Sequence, residues 1–461
     1  MDIKPAQILK AVQGKLLASP PDEFTEINKV CTDTRALEKG DVFFALQGRS
    51  FDGHDFLKEA LEKGAGSLVI SDAKKVPASA KRSAGVIAVQ DTLKAYGDLA
   101  KLYRQKFKVP VIAVTGSCGK TTVKEMIAHI LSKRFKVLKN RGTENNRVGV
   151  PKTLFQLDAS YEAAVIEMGT NISGEIQELS RITAPQIGVI TQIGSSHLEG
   201  LKSLEGVRLE KLSLMNSLER GGLLILNGED PLLADTQSGV HRVLKVGFKR
   251  ETHDLAAEQF WCHEKGSSFY VEKNLFETPL LGRHNILNCL FSILVCSSLG
   301  VKFSIIREGV ASFKPPSGRL SFKEIAGVRF LDDTYNANPT SFKAALETLK
   351  EFKIREKKGV VCGDMLELGG VAEECHRQLG ALMADHLPDF IIAAGVLSKA
   401  LVDEALKKGY DSKRIYHVKD STEAGKVCRQ IAAPGDCVLV KGSRAMAMEK
   451  VFECFITSSI P

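Results

Sequence analysis

No apolar run in this 461-residue chain approaches the ~18 residues that a membrane helix requires. Its opening stretch, MDIKPAQILKAVQGKLL, also lacks the apolar centre of a secretion signal. A membrane span and a cleaved leader are therefore not expected, and the cytoplasm is the expected compartment. None of the ten cysteines forms a Cys-x-x-Cys pair. That argues against zinc ribbons and thioredoxin-like centres and fits reduced thiols, most of them small core residues as in NCLFSILVCSSLG. No lysine/arginine block of the nucleic-acid-binding kind occurs. The densest basic stretch, KIREKK from Lys353 to Lys358, reads as a solvated helix end or loop. Low-complexity linkers and short-period repeats are absent too.

With 44% hydrophobic and 26% charged residues, the composition is that of an ordinary globular protein, and the length suits two to four domains. The net charge of +8 gives a modest positive field. Such a field suits anionic small substrates as well as RNA, so charge does not choose between them.

Three regions separate along the chain. Residues 1–90 carry short strands and helices, GDVFFAL and GSLVIS being the clearest strands. Residues 91–315 open with a helix, DTLKAYGDLAKLYRQKF, and continue with the apolar runs VPVIAVTG, AAVIEMG, QIGVITQIG and GGLLILNGED. The prolines and glycine of KPPSGRL mark a joint. Residues 316–461 repeat the grammar with VRFLDDTYNANP, GVVCGDMLELG, FIIAAGV and CVLVKGSR. Short apolar strands alternating with amphipathic helices predict an α/β protein with parallel sheets covered on both faces. Ligands gather at the carboxyl ends of such strands, where this chain keeps its unusual polar residues.

The first of these is TGSCGKTT, Thr115 to Thr122, between a buried strand and a helix whose apolar positions Val123, Met126, Ile127, Ile130 and Leu131 follow helical spacing. This is the context of a phosphate loop, with Lys120 reaching outer phosphates and Thr121 a magnesium ligand. The full pattern begins with glycine where this chain has Val114. A bare glycine turn is the other reading. Glu167 ends AAVIE; a salt-bridged strand end and a magnesium carboxylate are both open. His197 after QIGSS is structural, catalytic or metal-binding. Lys211, on a predicted helix in SLEGVRLEKLSLMNSL, is by itself a surface lysine. Asp333 in DDTYNANP belongs to a turn or holds a ribose or metal-bound water. The thiol of Cys118, beside a helix N-terminus and Lys120, is expected to favour the thiolate and react readily without being catalytic.

Together these stretches, with TDTRALEKGDVFFALQGRSFDGHDF, NNRVGVPKTL, VIEMGTNISGEI, SSHLEG, GRHNILN, PSGRL, GDMLELG and VKGSRAMAME, closely resemble the Mur ligases over essentially the whole chain, and specifically their dipeptide-adding branch. The resemblance implies three domains: an N-terminal α/β domain for a uridine nucleotide, a central P-loop ATPase domain with a parallel-rich sheet, and a C-terminal Rossmann-like domain. It also removes the objection of Val114, since this family carries a shortened loop. The implied activity is ATP-dependent amide ligation in peptidoglycan precursor synthesis by a monomer. Its partners are ATP, UDP-N-acetylmuramoyl-tripeptide and D-alanyl-D-alanine, and its cofactor is Mg2+.

Carried over by position, the resemblance puts Thr115, Gly116, Ser117, Cys118, Gly119, Lys120, Thr121 and Thr122 around the phosphates. Asn285 and Asn288 meet the adenine, Arg319 the terminal phosphate and Asp333 the nucleotide. Thr121, Glu167, His197 and Lys211 serve magnesium, Lys211 as a carbamate formed with carbon dioxide. Thr34, Arg35, Asp52, Gly53 and His54 match the uridine-nucleotide end. Asn145, Asn146, Asn336, Asn338, Lys441 and Arg444 match substrate contacts. Two stretches depart from the family pattern: TENN keeps only the last two asparagines, and RLEKLS has Ser213 where a glutamate is usual. A nucleotide-gated binding module and an amino-acid-adding relative are the alternatives. DDTYNANP and GDMLELG speak against the relative.

Overall fold

The computed structural model describes residues 3–19, 27–48, 50–352 and 354–456. Arg49 of the quoted FALQGRSFDG stretch and Lys353 of KIREKK lie outside them. The chain forms two compact units: Met1–Ala113, Lys136–Gly169 and Glu175–Gln186 make one, and Val114–Phe135, Thr170–Gly174 and Ile187–Pro461 the other.

The first unit is built on a five-stranded sheet ordered Lys15–Ala18, Gly85–Ala88, Ser67–Ile70, Val42–Phe44, Val30–Cys31. Only Lys15–Ala18 runs antiparallel. Phe43, Leu57, Leu68, Ile70 and Val86 fill one core cluster of this unit. The expected helix spans Thr92–Arg104, and Asp91 caps it by accepting from the N–H groups of Leu93 and Lys94. Its last residue buries a guanidinium, which stays satisfied by donating to the carbonyls of Thr183, Phe107, Val109 and Ala184. Strands Val137–Lys139 and Ala163–Glu167 pair in parallel in this unit.

In the second unit, Ile187–Ile190, Leu223–Asn227, Arg242–Gly247 and Leu255–Ala256 pair side by side, all parallel. The helix Arg283–Ser298 buries eleven of its sixteen residues, Asn285 and Ile286 and then Asn288 through Cys296. It packs on the helices Lys120–Leu131 and Phe303–Ala311. A six-stranded sheet follows, ordered Ser321–Ile325, Val328–Asp333, Cys437–Lys441, Lys358–Gly363, Phe390–Ala394, Ile415–Val418. Here the period-two pattern does its work. Leu331, Val360, Cys362, Ile391 and Leu439 face one core, while Phe330, Val361, Ile392, Val438 and Val440 face the other. That is why these strands read as continuous apolar runs.

The sheets are parallel-rich, as expected, and antiparallel strands accompany them. Phe260–His263, Gly266–Val271 and Asn274–Thr278 form a separate antiparallel sheet, and Ser321–Ile325 is an antiparallel edge. Phe260–His263, Asn274–Thr278 and Ser321–Ile325 are partly exposed, and these short strands lack the long apolar runs that mark a doubly covered strand.

Candidate active site

The strand Val111–Thr115 delivers the glycine loop directly onto the helix Lys120–Leu131. Gly119 is the N-cap at φ 81°, and it has no side chain to cover the helix end, the geometry in which helix N–H groups and dipole serve an anion. A Cβ on Gly119 would lie 2.6 Å from Asn288 Oδ1, and one on Gly116 would lie 2.0 Å from Thr191 Oγ1. Both glycines are therefore fixed by close approach as well as by φ.

Behind the loop, Thr191 N–H donates to Thr115 O at 3.0 Å and Ser117 N–H donates to Gln192 O at 2.8 Å. The Thr191 hydroxyl donates to Cys118 O. Ser117 Oγ donates to Gly194 O, accepts from Gly194 N–H and meets Ser196 Oγ at 2.9 Å. The side chains of Ser117, Thr121 and Thr122 are buried. Thr191, Gln192 and Ser196 were not singled out in the sequence; their place just past the strand Ile187–Ile190 was the signal.

Three cations meet this loop and its surroundings. Lys120 Nζ donates to Gly116 O at 2.7 Å. Arg319 Nη2 donates to Thr121 Oγ1 at 2.9 Å, and its guanidinium carbon lies 3.9 Å from the centre of the Tyr335 ring. Lys211, on the helix Leu204–Leu212, is 1% exposed. Burial and then the Lys120 charge push its pKa down from 10.5 to about 7, against the opposing pull of Glu210. The sequence taken alone reads Lys211 as a surface lysine, and the structure corrects that. Ser213 Oγ donates to Glu210 O at 2.6 Å, turned back onto its own helix.

Cys118 also requires correction. Burial raises its pKa above the ordinary thiol value, outweighing Lys120 and Lys441, so the thiol rather than the thiolate is favoured. Its Sγ lies 3.5 Å from Asn338 Oδ1, within hydrogen-bonding reach.

The neighbouring residues hold one another. Asn288 Nδ2 donates to Asn285 Oδ1, and Asn285 Nδ2 donates to Leu281 O, both at 2.8 Å. Asp333 accepts from Leu320 N–H at 3.1 Å and from the Nζ of Lys441, which is 1% exposed. Lys441 also donates to Asn336 O at 2.9 Å. Asn338 caps the helix Pro339–Glu351 through Ser341 N–H. His197, at φ 53°, pairs with Glu367 Oε2 at 3.1 Å and holds the Glu367 carboxyl below its ordinary pKa. Arg444 is exposed, and its described ion pair is with Glu449 at 3.0 Å. A cavity of about 550 Å³ opens at the start of the helix Arg283–Ser298, lined by Arg283, His284, Glu347, Thr348 and His386 among others. Burial lowers the His284 pKa to about 4, so it is neutral at pH 7.

The remaining expected residues belong to the first unit. Glu167 ends its strand 1% exposed; its Oε1 accepts from Asn145 Nδ2 at 2.8 Å. Asn146 Oδ1 accepts from Val148 and Gly149 N–H, shaping the start of the helix Gly149–Leu154. Thr34 is buried, while Arg35 is exposed and grips Asp33, whose carboxyl falls to about 2. Asp52 accepts from His54 Nδ1 at 2.6 Å and from Lys75 Nζ at 2.9 Å. His54 Nε2 already accepts from Ser71 N–H at 2.9 Å and Asp72 N–H at 3.2 Å. Both ring nitrogens of His54 are thus engaged within this loop. A Cβ on Gly53 would strike Leu46 N at 2.7 Å, so the loop needs glycine there.

Among the described residues, no three His, Cys, Asp or Glu side chains cluster as a metal cage. The donor set around the loop is instead cations and a hydroxyl, which fits a polyphosphate. A magnesium ion accompanying a polyphosphate would take a few protein oxygens together with phosphate oxygens.

Three family profiles match the chain: the Mur ligase family catalytic domain over residues 26–104, the Mur ligase middle domain over 114–296, and the Mur ligase glutamate ligase domain over 318–444. The UDP-N-acetylmuramoyl-tripeptide--D-alanyl-D-alanine ligase of Bacillus subtilis (strain 168) is 36% identical, covering 98% of both chains. The Escherichia coli (strain K12) protein of the same name is 35% identical over 92% of this chain and 93% of that one. Among solved structures, MurF from Acinetobacter baumannii superposes with a TM-score of 0.88 at 30% identity, covering 98% of both chains. MurF from Thermotoga maritima, in complex with ADP, gives 0.83 at 28% identity over 95% and 98%. With its three profiles in order and a relative above one-third identity along nearly its full length, the chain belongs to the Mur ligase family.

Proposed function

We propose that the protein is the ATP-dependent ligase that joins D-alanyl-D-alanine to UDP-N-acetylmuramoyl-tripeptide in peptidoglycan precursor synthesis. One observation carries the reading most directly: Arg319, within the PPSGRL joint, donates to Thr121 on the phosphate loop beside Lys120. A loop that only stored nucleotide would not need a cation brought from 198 residues further along the chain. The relatives' names supply the substrates.

In this reading the tripeptide's terminal carboxylate attacks the γ-phosphorus of ATP, giving an acyl phosphate and ADP. The dipeptide amine then attacks the acyl carbon; the C–N bond forms, inorganic phosphate leaves and the amine gives up a proton. Lys120, Arg319 and the loop N–H groups neutralise charge on the transferring group. Mg2+, when bound, would supply further neutralisation, with Thr121, Glu167, His197 and a carbamylated Lys211 as its protein groups. Lys211 suits carbamylation because CO2 reacts with a neutral amine, and burial beside Lys120 favours that form. We assign the adenosine end to Asn285, Asn288 and the cavity at Arg283 and His284. The nucleotide and peptide of the precursor go to Thr34, Arg35, Asp52, Gly53, His54, Asn145 and Asn146. Asn336, Asn338, Lys441 and Arg444 serve the acceptor side, and Asp333 holds Lys441 for it. Domain bounds near residues 90 and 315, a cytoplasmic monomer and the absence of nucleic-acid partners complete the proposal. No described helix is long and apolar enough to cross a membrane.

The test is ADP release by purified protein with ATP, Mg2+, UDP-N-acetylmuramoyl-tripeptide carrying diaminopimelate or lysine, and D-alanyl-D-alanine. Release should need both substrates and yield the pentapeptide mass. Sustained release without the dipeptide, or an amino acid replacing it, would refute the assignment.

A further inference from the structure

Arg319 does not stand on a regular element. It sits between Gly318 at φ 74° and Leu320 at φ 52°, so a left-handed residue on each side turns the backbone around it. For leucine that conformation is strained, and strained backbone persists only where surrounding contacts fix it. The contacts come from one segment. Tyr335 N–H donates to Gly318 O at 3.0 Å, and Leu320 N–H donates to Asp333 Oδ1 at 3.1 Å. A Cβ on Gly318 would lie 3.1 Å from Tyr335 N, so the two segments touch. The Tyr335 ring then lies under the guanidinium at 3.9 Å, while the other end of the same group reaches Thr121 Oγ1.

We infer that Tyr335 is a positioning residue for the ligase reaction: its ring face fixes the Arg319 guanidinium toward the phosphate loop. An arginine has long rotamer freedom, and a single 2.9 Å hydrogen bond to a hydroxyl leaves most of it. A cation over an aromatic face orients the planar fork while leaving its N–H groups for phosphate oxygens. The hydroxyl of Tyr335 has no part in this; the ring does.

The inference rests on the proposed ligase reading, and a double-mutant cycle separates the two. ADP release is measured with all substrates for the parent, Tyr335→Leu, Tyr335→Phe, Arg319→Ala and the Arg319→Ala/Tyr335→Leu pair. Leucine fills space without a π face, so Tyr335→Leu should lower kcat about tenfold, the scale of a half-buried cation–π contact. KM for ATP should change much less, and Tyr335→Phe should restore the rate to within about twofold. In the Arg319→Ala background the leucine substitution should cost nothing further. Equal losses from Tyr335→Leu in both backgrounds, or a Tyr335→Phe variant as slow as Tyr335→Leu, would overturn the role of the ring. A parent that releases no ADP would refute the ligase reading instead.

Discussion

Replacing Lys211 by methionine keeps most of the length of a side chain that is 1% exposed and removes its titratable amine. In metal-free buffer stripped of carbon dioxide, the parent amine titrates near 7 in the folded chain and near 10.5 in the unfolded one. Below about pH 7 both states carry the proton, and the contribution to stability is constant. Between about 7 and 10.5 the unfolded chain holds a proton that the folded chain does not. Parent stability therefore rises with pH through that window and levels off above it. At about 1.4 kcal/mol per tenfold change in proton activity, the whole window corresponds to about 5 kcal/mol. Methionine has no such term. The variant should be the more stable protein near pH 7, and its advantage should shrink by several kcal/mol as pH approaches 10. Urea unfolding of both proteins across that range measures the difference, and other titrating groups cancel in it. The variant should also lose ligase activity, since no carbamate can form. Because Lys120 is the second cause of the shift, Lys120→Met should raise the lower edge of the window and narrow it. A parent–variant difference that stays flat with pH would refute the picture of a buried, largely neutral amine.

Other outcomes are as specific. Lys120→Ala should cut ADP release by at least about a hundredfold while leaving the thermal midpoint near that of the parent, because the lysine holds a loop carbonyl and no core. Cys118→Ser should keep most activity. Alkylation of Cys118 in the parent should be slow at neutral pH, accelerate above pH 9 and be blocked by ATP; fast reaction at pH 7 would contradict its raised pKa. Phe330→Ala, which empties a fully buried site touching Phe452 and Phe455 with ring centres 5.3 and 4.9 Å away, should cost about 3–5 kcal/mol in urea unfolding of the third region.

The glycine loop was legible because its function and its fold demand the same residues: two glycines at close approach, then a helix start. The apolar strands were legible because sheets covered on both faces leave no polar alternation to confuse them. Phe260–Thr278 was missed because its half-exposed strands FWCH and NLFET are short and mix polar and apolar residues with no clear period. Lys211 illustrates a harder limit. Nothing in VRLEKLS distinguishes a buried amine from a solvated one, because burial is decided by what packs against that helix. Cys118 was misjudged by counting the helix end and the neighbouring lysine while leaving out desolvation, which proved the largest influence. Tyr335 lay inside a quoted motif, yet its relation to Arg319 needs a backbone turn that residue types do not announce.

The helix Arg283–Ser298 has a consequence for how the protein is made. With eleven of its sixteen residues buried, it has little wettable side to rest on the surface of a half-finished chain. Its shelter includes the helix Phe303–Ala311, which emerges from the ribosome only afterwards. NCLFSILVCSSLG is thus exposed during every round of synthesis for as long as translation takes to supply that cover. This stretch is where a nascent-chain holdase would bind, and where slowed translation just downstream would raise the yield of insoluble product.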